Sequence, residues 1–306
     1  MASLHRRRVP AILAVLLLAT SCHSAGSRST SALDDDAITV GSFDFPESVL
    51  LAELYAQTLE RAGYPVVREF DLGPRELVFP SLQRGLLEVI PEYAGSALSF
   101  VGGDASADPG ITHDRLSQAL GARGLTVLDG APAMDRNGFA VTLATAAGLN
   151  LTSLRDLSAH AGQMVFAGPP ECAQRPLCLQ GLTTMYGLHF SDVLSLDTGG
   201  PLTVSALTAG TADVGLLFTS DPILNGGQLV LLRDDLGLEP AENVTPVVNA
   251  EVLQRFGAGV STALDALSAK LSTDELRDMS GSVESGTPPA DVARVWIESN
   301  LPPATG

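Results

Sequence analysis

Lysine is nearly absent. Lys270 is the only one in 306 residues, and basic residues total 18 against 35 acidic ones. The resulting net charge of −17 repels nucleic-acid phosphates and anionic lipid headgroups. There is also no basic stripe, no GxxxxGK[ST] loop and no zinc-finger spacing. A nucleic-acid partner and a nucleotide-binding P-loop are therefore excluded. Aromatic residues are scarce at 5%, so an apolar content of 45% comes mainly from Ala, Leu and Val. Such a core has many small contacts and few large anchors. Charged residues make up only 17%, which excludes a disordered chain, and the length suffices for two domains. Beyond the N-terminus no apolar run approaches the length of a membrane-spanning helix.

The N-terminus, MASLHRRRVPAILAVLLLATSC, has the three parts of a secretion signal. Arg6–Arg8 form a basic segment, Val9 to Ala19 an apolar core too short to span a bilayer, and Ala19, Thr20 and Ser21 lead into Cys22. The end of this stretch resembles a bacterial lipobox, although Ala19 stands where leucine is usual. The resemblance makes residues 1–22 a signal peptide and Cys22 the site of lipidation. Residues 23–37 are small and polar, then acidic, and read as a flexible tether. The mature chain is expected on the outer face of the cytoplasmic membrane, anchored by lipid rather than spanning it. A plain signal peptide or an uncleaved anchor is the alternative.

Two further cysteines remain, Cys172 and Cys178, in ECAQRPLC. Outside the cytoplasm, thiols six positions apart favour a disulfide closing a small loop. Free thiols or a reactive cysteine are the other readings, but no base is evident. No metal site is expected, because neither His160 nor His189 has ligand spacing to them.

From residue 38 onward, short β-like runs alternate with helical ones. Strands are expected at 38–42, 65–70, 86–90, 125–129, 138–144, 163–169, 193–197, 212–218, 228–232 and from 246. Pro46 suits a first helical turn and Gly63 its end, with apolar residues at helical spacing between them. Further helices are expected near 75–84, 112–122, 177–187, 201–209, 261–270, 273–283 and 288–299, and one beginning at Thr152 or Ser153. This alternation predicts parallel strands with helical crossovers. The centre, 139–244, reads as a second α/β unit inserted into the first, 38–138 plus 245–306. Ligands bind such sheets at the carboxyl ends of the strands. Four strand exits stand out: SFDFPES, PEYAGS, GPPECAQR and TSDP.

GSFDFPES, LGPRELVFPSLQRG, LEVIPEYAGSAL, TADVGLLFTSD and LRDDLGLEPAENVTPVV occur in this order. Over about residues 37–300 the chain resembles the glycine betaine/choline-type, or osmoprotectant, substrate-binding proteins of ABC importers. The resemblance implies an α/β, two-lobed type II periplasmic-binding-protein fold with a ligand cleft between lobes. It also implies no catalysis, no cofactor, a monomer, and delivery of a small solute to a membrane permease and its ATPase. Its ligands are quaternary ammonium compounds such as glycine betaine, choline or carnitine. A cation that donates no hydrogen bonds is best held by aromatic faces.

Matched position by position, the resemblance assigns six ligand contacts. In PEYAGS, Tyr93 matches a cage tyrosine and Ser96 a polar residue for the ligand's head. In RNGFAV, Phe139 stands for a cage tyrosine, and in LFTSD so does Phe218. In GSFDF, Phe43 occupies a position that often carries lysine. Arg175, in QRP, is the cation left for a ligand carboxylate. At GGPLT, near 199–203, where some members place another tyrosine, there is no ring. Glu92 is expected to bond a loop, and Arg75 to pair with a carboxylate. The residues also admit blander roles: Tyr93 as a core ring, and Phe139 and Phe218 as apolar strand ends. The alternatives for function are the same fold holding a bulkier apolar or aromatic solute, or an enzyme or sensor reusing it. Chemistry is disfavoured because no histidine falls at a strand exit and no GxSxG occurs.

Overall fold

The computed structural model describes residues 36–197 and 199–301. The signal peptide, Cys22 and nearly all of the tether fall outside the described residues. No helix among the described residues is long and apolar enough to cross a membrane.

Two five-stranded sheets organise the chain. The first has the order β2-β1-β3-β10-β4, from β1 (Ile38–Gly41), β2 (Val66–Glu69), β3 (Val89–Tyr93), β4 (Leu125–Val127) and β10 (Val244–Asn249). The second has the order β7-β6-β8-β5-β9, from β5 (Asn137–Thr142), β6 (Val165–Gly168), β7 (Asp192–Ser195), β8 (Val214–Phe218) and β9 (Leu229–Leu232). Sequence-adjacent residues of the central strands enter opposite cores: Val89 and Val248 lie on one face of the first sheet, Ile90 and Val247 on the other. In the second sheet Phe139 and Val141 face one cluster and Ala140 the other. Both faces are covered, so the strands read as unbroken apolar runs.

The sheets are mixed, not wholly parallel as expected. β1 runs parallel to β2 and β3, and β6 parallel to β7 and β8. β10 is antiparallel to β3 and β4, and β5 antiparallel to β8 and β9. The reason is the direction of entry. β5 and β10 receive the chain from the other sheet at the end where the parallel strands leave, so they run backwards through their own sheets.

Pro91 does not end β3. It faces Pro246 of β10, and two residues without N–H groups sit opposite each other in the ladder. The strand therefore carries Tyr93 as its last residue, and helix α3 (Ala94–Phe100) begins at once. Helix α1 (Pro46–Arg61) starts with Pro46 in its first turn and buries Leu50, Leu51, Leu54, Tyr55 and Leu59. Helix α11 (Pro289–Asn300) packs on it through Ala293, Trp296 and Ile297. The expected helix at 152–160 is a 3-10 turn, Leu154–Ala159, whose Ser153–Asp156 capping box is complete. Helices α5 (Leu143–Leu149) and α8 (Ala250–Phe256), and α3 itself, were not legible in the pattern, each having only 7 residues, about two turns.

Candidate functional site

A cavity of about 790 Å³ opens where the parallel strands of both sheets end. Its walls come from the β1 exit (Phe45, Glu47), the β3 exit (Tyr93, Ser96), the approach to β5 (Asp135, Arg136, Asn137), the disulfide loop (Arg175, Pro176, Leu177), the β8 exit (Phe218, Ser220, Asp221), the approach to β10 (Glu239, Glu242), and helix α10 (Thr273–Glu284) through Ser280, Val283 and Glu284.

Tyr93, Ser96, Arg175 and Phe218 all line this cavity. Phe43 and Phe139 do not. Phe43 is 3% exposed and packs with Val78, Phe79 and Leu82, with the Arg75 guanidinium 5.2 Å above its ring. The Phe43 N–H donates to Ser48 Oγ at 3.0 Å, which curls the β1 exit so that the second phenylalanine of FDF reaches the cleft. Phe45 is that ring. It stacks on Phe43 at 5.9 Å between centroids and meets Tyr93 at 6.0 Å. Phe139 is 1% exposed and sits against Phe166. β5 enters its sheet at the cleft edge with Asn137, so the side chain two residues further on already lies in the core.

Ser96 does not have a free hydroxyl. Its Oγ donates to Glu242 Oε1 at 2.8 Å, and its backbone N–H to Glu242 Oε2 at 2.9 Å. A Cβ on Gly95 would lie 2.9 Å from the same carboxylate, so only glycine admits this approach. Tyr93 donates its hydroxyl to Glu47 Oε1 at 2.7 Å. Its ring is left to the cavity and its phenol is used by the protein. Behind it, Arg75 grips Glu92 through Nε at 3.0 Å and Nη2 at 2.9 Å, and Glu92 also accepts the Tyr93 N–H. Arg75 thus pairs with a carboxylate, as expected, and that carboxylate is Glu92.

Cys172 and Cys178 are joined by a disulfide, their Cα atoms 5.2 Å apart. It closes the loop that carries Arg175, Pro176 and Leu177 to the cavity. Replacing both cysteines by serine is expected to lower stability by about 2 kcal/mol, the loop-closure value for so short a ring, measured by denaturant unfolding. Solute affinity should fall with it if the loop contributes to the site.

The cavity is acidic. Glu47, Asp135, Asp221, Glu239, Glu242 and Glu284 line it, against Arg136 and Arg175. Burial raises the pKa of Glu47, and the neighbouring Asp135 raises it further. Burial likewise raises Asp135, whose Oδ1 accepts from Ser220 Oγ at 2.7 Å. Glu239 is pushed up to about 8 by burial and by Asp234, and Glu242 to about 7, chiefly by burial. Tyr93 stays protonated, its pKa well above the usual value because it is buried among carboxylates. Aromatic faces beside partly protonated carboxylates favour a cation over an anion. Among the described residues no group of three or more His, Cys, Asp or Glu is placed to hold a metal ion.

Sequence reasoning named two of the cavity's rings, Tyr93 and Phe218, and missed Phe45 and this acidic lining. LEPAEN marked a position in a pattern and nothing in it showed that Glu239 and Glu242 face Tyr93 and Ser96. The α10 residues come from the distant C-terminal tail and had no signal at all.

The architecture agrees with solved structures of known proteins. Ligand-free YehZ from Escherichia coli superposes with a TM-score of 0.75 at 26% identity, over 87% of this chain and 99% of that one. A glycine betaine/carnitine/choline ABC transporter structure gives 0.79 at 22% identity, over 86% and 98%. The fold is therefore that of a two-lobed, type II periplasmic binding protein. Residues 36–299 match the family described as the substrate binding domain of ABC-type glycine betaine transport system, and the chain belongs to that family. A glycine-betaine-binding protein of Pseudomonas aeruginosa is 30% identical over 85% of this chain and 86% of its own length. The chain is the substrate-binding component of an ABC importer.

Proposed function

We propose that this protein captures a quaternary-ammonium solute between its lobes, 38–138 with 245–306 and 139–244, and hands it to a permease served by an ATPase. The observation that carries this reading is the convergence of the Phe45, Tyr93 and Phe218 rings with an acidic wall in one cavity. Ring faces attract an ammonium by roughly 0.5–2 kcal/mol each. The carboxylates add a diffuse attraction without requiring the ligand to donate. Arg175 and Arg136 are placed to receive a carboxylate when the solute has one. Tyr93 and Phe45 come from one sheet, Phe218 and Arg175 from the other, so a ligand touching both stabilises the closed arrangement. The protein acts as a monomer, held at the outer face of the membrane by lipid on Cys22.

Choline and 3,3-dimethylbutan-1-ol have nearly the same shape and differ in charge. Choline should raise the melting temperature and bind in calorimetry, and the neutral isostere should do neither. Equal binding of the two would remove the cation from the reading. A second reading, a bulkier apolar or aromatic solute, is favoured by the cavity's size and by Gly199 in its wall, beside Phe218, where a ring would narrow it. That reading expects the isostere to bind as well as choline.

A further inference from the structure

Glu239 is unlike the other carboxylates that shape the site. Glu47, Asp135 and Glu242 each accept a hydroxyl, from Tyr93, Ser220 and Ser96. Glu239 lines the cavity and is 2% exposed, yet its Oε1 is buried with no hydrogen-bond partner. The orphaned oxygen is not a consequence of a loose loop. The Asp234 carboxylate accepts the backbone N–H groups of Gly237 at 3.0 Å, Leu238 at 2.9 Å and Glu239 at 2.8 Å, and also the Tyr186 hydroxyl. Gly237, at φ +73°, supplies the left-handed turn this requires. The turn fixes the Glu239 backbone, the Asn137 side chain bonds its carboxylate, and Oε1 is the oxygen left without a donor.

A buried acceptor without a donor costs roughly 1–3 kcal/mol, recovered only when a donor arrives. We propose that Glu239 is a specificity-determining residue: its Oε1 accepts a hydrogen bond from an O–H or N–H group on the bound cation. The inference rests on the quaternary-ammonium reading and narrows it. The preferred solute carries a donor near its cationic end, as an alcohol or ring N–H does. A zwitterion with only a carboxylate there offers no donor, so the Glu239 acceptor stays unmet whichever arginine receives its charge. Glycine betaine is therefore disfavoured relative to choline.

The test compares choline, propyltrimethylammonium and glycine betaine by calorimetry on the full mature chain. Propyltrimethylammonium keeps the charge and volume of choline and replaces its hydroxyl by a methyl group. The wild type should bind choline about 10- to 100-fold more tightly than propyltrimethylammonium, the discrimination a single unmet buried acceptor gives. In Glu239→Ala the two should bind within about twofold, because the acceptor is gone. Glu239→Gln keeps an acceptor and should retain most of the preference while binding both more weakly. Glu239→Ala also removes the carboxylate's hydrogen bond with Asn137 and its attraction to Arg136, so its melting temperature is read only to show that the variant is folded, and the loss of the choline preference is what a merely structural role would not produce. A wild type that binds choline and propyltrimethylammonium within twofold of each other overturns the inference and leaves the cation reading intact, as does an unchanged preference in Glu239→Ala. Binding of none of the three compounds overturns both. If Glu239→Ala fails to fold, the wild-type comparison decides alone.

Discussion

Tyr93→Ala is expected to weaken choline binding by roughly thirtyfold, about the 2 kcal/mol that a desolvated cation–π contact contributes. Tyr93 is the only cavity ring whose second role can be separated from its first. Its face meets Phe45 and the cavity, and its hydroxyl holds Glu47 in place. Tyr93→Phe therefore keeps the ring and frees the carboxylate. It should bind choline within about threefold of the wild type. The alanine variant also loses stability, because Tyr93 is buried against the first sheet's core, and truncating a buried ring costs about 3–5 kcal/mol. Calorimetry at a temperature where unfolding curves show the variant folded separates the two effects. If the alanine variant is folded and binds as well as the wild type, Tyr93 is a core ring and not a cage wall.

The second large effect is a pH dependence that runs opposite to that of most proteins. Glu239 and Glu242 have pKa values raised to about 8 and about 7, and Glu47 and Asp135 are raised as well, in each case mainly by burial. In the unfolded chain these groups titrate near 4–4.5. At pH 7 the folded, ligand-free protein thus binds more protons than the unfolded chain, and unfolding free energy must fall as pH rises. The stabilisation is fully present below about pH 4 and is lost as pH passes through the raised values, so the ligand-free protein should be less stable at pH 9 than at pH 6. A bound cation favours the ionised carboxylates. Affinity for choline should therefore rise with pH, by about tenfold per unit below pH 8 for each proton released. Calorimetry in buffers of different ionisation enthalpy counts those protons. An affinity independent of pH between 6 and 9 would show that the cation does not approach this wall.

Particular residues show where sequence reading reaches its limit. Tyr93 and Phe218 were legible because each falls at a strand exit and matches a ring of the family pattern, although the strand before Tyr93 was expected to end at residue 90. Phe43 was assigned to the ligand where Phe45 lines the cavity, because the turn between them is set by Ser48, five residues beyond Phe43, accepting its N–H. Phe139 failed for a related reason. The strand it sits in was read as running with its neighbours, and its reversal puts Asn137 at the cleft edge instead. Ser96 was placed correctly, but its hydroxyl was assigned to a solute when Glu242, 146 positions away, already holds it.

By itself the sequence determined the class of the protein. Charge balance, strand–helix alternation, the cysteine spacing and five ordered motifs are local properties, each readable within a few turns of chain. Local patterning is enough to show the alternation of strands and helices and where most of them lie, although not the end of β3 or the burial of Phe43 and Phe139. The tertiary structure alone decided the character of the site. Carboxylates scattered from Glu47 to Glu284 meet in one cavity only after the chain has crossed between sheets and returned. Their protonation depends on burial and mutual distance, which no local pattern encodes. Hence a cleft built to bind was visible in the sequence, while its acidic wall, and the unpaired oxygen of Glu239 within it, required the fold.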